Sequence, residues 1–222
     1  VGSWLRGSDQ HLFRRAQVRQ ILVYRRDADF FGYLEDLRDL LTGPSVRAHI
    51  RQTVFAVLGA MGQPHLEEWA LLEPLVGVQE PAVQRAARNT LFRSIGWFRL
   101  LDRIGVIENW LDGNDEGRRD LAFSVMRHYA DRKPDRVAAL LTARLDRDDF
   151  WRTQVSQFMV WCPGLETSES LFRVLLTVVE RGDLSVLKNR QTGFWGIIHE
   201  LPKHHPDRGA IAIGAYVRRL VE

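Results

Sequence analysis

Arg51-Gln52-Thr53-Val54-Phe55, followed by Leu58-Gly59, returns later in the chain as Arg88-Asn89-Thr90-Leu91-Phe92, followed by Ile95-Gly96. A weaker copy is Arg119-Asp120-Leu121-Ala122-Phe123. Arg190-Gln191-Thr192-Gly193-Phe194 fits again, and Arg152-Thr153-Gln154-Val155 is the poorest member. The arginines stand 37, 31, 33 and 38 residues apart, a mean near 35. That period is one helix–turn–helix unit.

The surrounding apolar spacing is helical. Phe30, Leu34, Leu37 and Leu41 form one stripe, and Val46, Ile50, Val54, Val57 and Met61 a second. Val83, Ala87, Leu91 and Ile95 form a third, and Leu121, Val125 and Tyr129 a fourth. No stretch alternates with period two between hairpin-type turns. Breakers separate the stripes: Gly43-Pro44, Gly62-Gln63-Pro64, Glu80-Pro81, Asp112-Gly113-Asn114, Lys133-Pro134 and Pro163-Gly164. Pro44 and Pro81 are placed to open helices, Gly43 and Gly62 to close them. The reading is about a dozen helices of roughly 10–18 residues joined by short loops.

A 35-residue helix pair cannot bury enough apolar surface alone, whereas stacked pairs cover one another. The expected fold is therefore all-α: a right-handed α-solenoid of about six HEAT-like helical hairpins in a single domain over residues 1–222. The hairpins fall near 29–62, 65–96, 97–132, 134–162 and 166–201, with flanking helices 8–26 and 206–221. First helices are expected on the convex side. The second helices, which carry the repeated arginine, are expected to line the concave side.

The 222 residues are 45% hydrophobic and 27% charged, which excludes wholesale disorder. No run of 18 apolar residues exists, so no transmembrane helix is expected. The single cysteine, Cys162, excludes an intrachain disulfide framework and a multi-cysteine zinc site, and it fits a cytoplasmic setting. The chain starts at Val1 and ends abruptly at Glu222, which reads as a segment of a longer polypeptide. Net charge is +3, from 31 basic and 28 acidic residues. The signs interleave, as in Arg25-Arg26-Asp27 and Asp146-Arg147-Asp148-Asp149, which reads as a solvated mixed surface.

Val46-Arg47 with Ile50, Val54 and Leu58-Gly59 resembles the second helix of a HEAT repeat, as does Glu80 with Val83, Ala87, Leu91 and Ile95-Gly96. A narrower resemblance covers residues 11–76. Its residues are Leu12-Phe13-Arg14-Arg15, Gln17-Val18-Arg19-Gln20-Ile21-Leu22, Tyr33-Leu34 with Leu37 and Leu40-Leu41, Val46-Arg47-Ala48-His49, and Glu67-Glu68-Trp69. This segment resembles the helical region behind the nucleotide-binding module of large bacterial STAND (NACHT-type) NTPases. The resemblance implies a sensor whose helical repeats contact a trigger protein while an NTPase module oligomerises, in several cases for antiphage defence. It brings no catalytic residue to this chain.

The chemistry-bearing motifs are weak. A phosphate-binding loop needs Gly-Lys-Ser/Thr, and none of Lys133, Lys188 and Lys203 follows a glycine. His199-Glu200 with His204-His205 departs from the i, i+4 spacing that a zinc helix needs, and Pro202 interrupts it. Asp112-Gly113-Asn114-Asp115-Glu116-Gly117 begins like a calcium loop, but its closing position is Phe123, so an acidic turn with Asn114 capping the next helix is expected. Cys162 reads as a structural thiol. The seven tryptophans read mostly as packing between layers, with Trp110 and Trp195 partly exposed.

No catalytic residue, cofactor or metal site is expected. The candidate binding residues are Arg47, Arg51, Arg88, Arg119, Arg152 and Arg190. They form either a ladder, each bonding a loop carbonyl or acid of the next layer, or a basic concave groove for an acidic partner surface or phosphate backbone. A protein partner is favoured over nucleic acid; no membrane contact or small-molecule substrate is expected. Two other functions remain open. One is a HEAT-like DNA alkylation-repair glycosylase, with Trp110 and Asp112, or Trp151 with Asp148 and Asp149, in its cleft. The other is a structural spacer.

Overall fold

Short polar side chains and prolines divide the chain into helices. The structure, a computed structural model, describes residues 11–160, 162–181, 197 and 201–221. Asp29 takes the N–H of Gly32 at 3.0 Å and so opens a helix. Pro81 and Pro134 occupy first helical positions, where a missing N–H costs nothing. The Gly43 N–H closes a helix on the carbonyl of Asp39.

The described residues include these helices: α1 His11–Ala28, α2 Phe30–Thr42, α3 Ala48–Gly59, α4 Leu66–Val76, α5 Pro81–Leu91, α6 Ile95–Arg103, α7 Val106–Asp112, α8 Glu116–Tyr129, α9 Pro134–Leu145, α10 Asp149–Val160, α11 Glu169–Arg181 and α12 Pro206–Val221. No strand occurs among the described residues, so the fold is all-α.

Local readings need four corrections. Pro44 does not open a helix; it lies in a turn, and α3 starts at Ala48. Gly62 lies beyond the end of α3 at Gly59. Asp115, not Asn114, caps α8, because its carboxylate reaches the N–H of Arg118 three residues on, at 3.1 Å. Ile95 does not continue the stripe of Val83, Ala87 and Leu91. Ser94 accepts from Gly96 N–H, and a new helix begins at Ile95. With 9 and 7 residues, α6 and α7 are shorter than the spacing predicts.

The chain forms two compact units, Val1–Asn109 and Trp110–Glu222. In the first, α1 packs against α2 and α3, α3 against α5, α2 against α4, and α4 against α5. Thus α1, α3 and α5 lie side by side in one row, and α2 and α4 in another. Tyr33, Leu37, Leu41, Ile50, Leu58 and Trp97 are fully buried in this unit. The repeated segments touch each other. Thr90 donates from Oγ1 to the Phe55 carbonyl at 3.3 Å, and Trp97 Nε1 donates to the Leu58 carbonyl at 2.9 Å. Gly96 lies so close to the Gly62 carbonyl that a Cβ would collide with backbone.

In the second unit, α9 packs against α10 and α11, α10 against α11, and α11 against α12. Rings bind α8 to α10, with Phe123 5.8 Å from Phe158 and 6.3 Å from Trp151 between centroids. Side-chain bonds recur at one sequence offset in both units. Tyr33 with Glu68, Thr90 with Phe55, Arg147 with Asp112, and Arg181 with Asp146 each join residues 35 apart.

Trp69, Trp97, Trp110 and Trp151 are buried. Trp110, expected to be partly exposed, is only 5% accessible, on the same short helix as the buried Ile107 and Leu111. Trp4, Trp161 and Trp195 lie outside the described residues. Cys162 is buried and free, and its thiol is pushed up to about 12 by that burial.

Candidate functional site

A helix leaves its last carbonyls without backbone partners and carries partial negative charge at that end. A guanidinium from the following helix can answer both. Arg51 on α3 donates to Gly43 O at 3.1 Å, at the end of α2. Arg88 on α5 donates from Nε to Val76 O at 3.1 Å, at the end of α4. Arg119 on α8 donates to Leu111 O at 3.4 Å and Gly113 O at 2.7 Å, at the end of α7. Arg51, Arg88 and Arg119 therefore each fasten the helix before their own. Reach to a neighbouring hairpin is secondary. Arg51 comes within 3.8 Å of the exposed Glu80 carboxylate, and Arg119 lies 4.9 Å over the Phe150 ring.

The remaining members differ. Arg47 is exposed at the N-cap of α3 and makes no side-chain cap bond. Arg152 donates to Asp149 at 2.7 Å within its own helix. Arg190 lies outside the described residues.

Two charge clusters, one buried and one built on a buried arginine at the surface, were not legible in the repeat. Glu68 on α4 is inaccessible to solvent, yet every oxygen is engaged. Its Oε1 accepts from Arg26 Nε at 2.7 Å and Tyr33 OH at 2.8 Å, and its Oε2 accepts from His65 N–H at 2.7 Å and Arg26 at 3.2 Å. Arg26 also donates to Gln63 O at 2.7 Å. One carboxylate thus joins α1, α2 and the start of α4. In the second unit, Arg144 is 3% accessible and grips Asp112 with two bonds, Nε to Oδ1 at 3.1 Å and a terminal nitrogen to Oδ2 at 2.9 Å. Arg147 adds a bond to Asp112 Oδ1 at 2.7 Å, and both guanidiniums lie over Trp151.

These contacts occupy the acids considered for a glycosylase. Asp112 is held by Arg144 and Arg147, Asp148 caps the Trp151 N–H at 3.0 Å, and Asp149 pairs with Arg152. Among the described residues no three His, Cys, Asp or Glu side chains converge as metal ligands. His199 and Glu200 lie outside the described residues, and no described helix is long and apolar enough to cross a membrane.

An open groove of about 1160 Å³ runs along α1 and α3. Ala16, Ala56, Val57 and Ala60 contribute to its lining, and Val23 and Tyr24 are 44% and 72% accessible beside it. Arg15, Arg19 and Arg93 line it and are exposed, with no ion pair among the described residues; Asp27 is the one acid lining it among those residues. None of the repeated arginines among the described residues lines it. The row that carries Arg51 and Arg88 thus presents a basic groove through other arginines. Arg15 and Arg19, at i and i+4 beside the buried Val18 and Leu22, are one face of α1 and could have been picked out by spacing. Arg93 follows α5 and reaches the groove only through packing, where its side chain lies against Gly59.

No family model matches the chain, and no curated protein matches it. Among solved structures it is similar to an engineered protein, at 14% identity and a TM-score of 0.37, covering 97% of this chain and 94% of that one.

Proposed function

We propose that the chain is a non-catalytic protein-recognition module, a right-handed HEAT-like α-solenoid working in the cytoplasm within a larger bacterial STAND-type NTPase sensor of the antiphage kind. The side-by-side rows of the first unit and the bonds that recur 35 residues apart support stacked hairpins. The resemblance over residues 11–76 supports the sensor context. The observation that carries the recognition role is the open groove on α1 and α3, with three exposed guanidiniums and one acid.

Proximity labelling in cells, with the whole polypeptide as bait, tests it. A protein neighbour lost on R15E/R19E/R93E while helicity is unchanged is the expected result. An unchanged set of neighbours would leave a spacer as the better reading, and ATP turnover by the purified chain would end the non-catalytic one.

A further inference from the structure

Charge and shape together narrow what the α1/α3 groove accepts. Arg15 and Arg19 stand one helical turn apart on one wall, about 6 Å between them. Arg93 adds a third positive charge from beyond α5. The lining of α1 runs from Arg15 to Asp27, about 18 Å at 1.5 Å per residue. That length matches three to four turns of another helix. Between the charges the lining includes the methyl groups of Ala16, Ala56 and Ala60, which let a second backbone approach closely, beside the polar side chains of Gln20, Gln52 and Thr53. Tyr24 offers a largely exposed ring at the edge.

A single strand of nucleic acid would want several aromatic faces for its bases, and Tyr24 is the one aromatic residue lining the groove among the described residues. A helix with an apolar stripe flanked by carboxylates uses both the methyl lining and the guanidiniums. Resting on the recognition role above, we propose that the α1/α3 groove receives an acidic amphipathic helix of a partner protein. Its acids, spaced i and i+4, pair with Arg15 and Arg19, a further acid meets Arg93, and small or aliphatic residues face Ala16, Ala56 and Ala60.

The test selects binders to the intact chain from a displayed library of random 15-residue helical peptides, then measures affinity by fluorescence anisotropy. Enriched peptides are expected to carry acids at i and i+4 beside an apolar stripe. R15E/R19E is expected to weaken them tenfold or more, as is Q52E, which adds a negative charge to the groove while keeping every arginine. R103E, on the exposed surface of α6, serves as the control and is expected to leave affinity unchanged. Replacing the facing peptide acids with lysine should restore binding to R15E/R19E.

Acidic peptides whose affinity ignores R15E/R19E and Q52E would overturn the groove assignment while leaving a recognition module standing. No enriched peptide would overturn the inference, and joined to an unchanged set of cellular neighbours it would overturn the recognition role as well. A 15-mer of oligouridine that binds more tightly than the selected peptides, and is lost in R15E/R19E, would assign the groove to nucleic acid. Self-association of the wild-type chain that R15E/R19E abolishes would assign it to a second copy. Either result overturns the proposal.

Discussion

Glu68 shows how one residue can decide a local architecture. A buried carboxylate survives only when paired and hydrogen-bonded, and Glu68 has Arg26, Tyr33 and the His65 N–H. Removing it leaves Arg26 and the Tyr33 hydroxyl without their shared partner. Glu68→Ala is expected to lower unfolding free energy by about 3 kcal/mol, measured by urea denaturation. Cys162 makes the opposite case, a group kept neutral by burial. Its thiol titrates near 12 in the fold against 9.0 unperturbed, so the unfolded chain loses this proton first. Stability is therefore expected to fall as pH rises from 9 toward 12, and Tyr33, raised by burial and then by Glu68, acts in the same direction. Cys162→Ala should make that decline shallower in urea midpoints. At pH 8 the native thiol should react with iodoacetamide at least about tenfold more slowly than the urea-unfolded one.

Helices in this chain end where the next one reaches back. Arg51, Arg88 and Arg119 supply side-chain donors to the ends of α2, α4 and α7. Arg88→Met keeps much of the aliphatic stem but removes the donor to Val76 O. It is expected to cost about 1–2 kcal/mol, with amide exchange rising first in the last turn of α4. An unchanged exchange pattern in α4 would mean that the bond does not hold that end. The recurring arginine was read in the sequence as a periodicity of hairpins. Its spacing could say that an arginine returns, yet the direction of the side chain depends on the distance to the preceding helix end. For the same reason Pro44 and Ile95 misled: a local preference for starting or continuing a helix yields to the turn geometry at residues 44–47 and to the Ser94 cap.

At the scale of the molecule, the two compact units each have an interior of their own. Residues 1–109 contain the Glu68 cluster, both strong copies of the repeat and the whole α1/α3 groove. Expressed alone, they are expected to fold cooperatively, giving a helical circular dichroism spectrum and a single urea transition. A gradual, non-cooperative loss of helicity would show that the first unit depends on the second.

Helical content and the places of most breaks were legible in the sequence, because each follows from backbone geometry over a few turns. The burial of Glu68 and Arg144, the closing of Asp112 by two guanidiniums and the gathering of Arg15, Arg19 and Arg93 around one groove were decided by tertiary packing. Those partners lie tens of residues apart, and side-chain direction, unlike apolar period, is set by whatever surface the neighbouring helix presents.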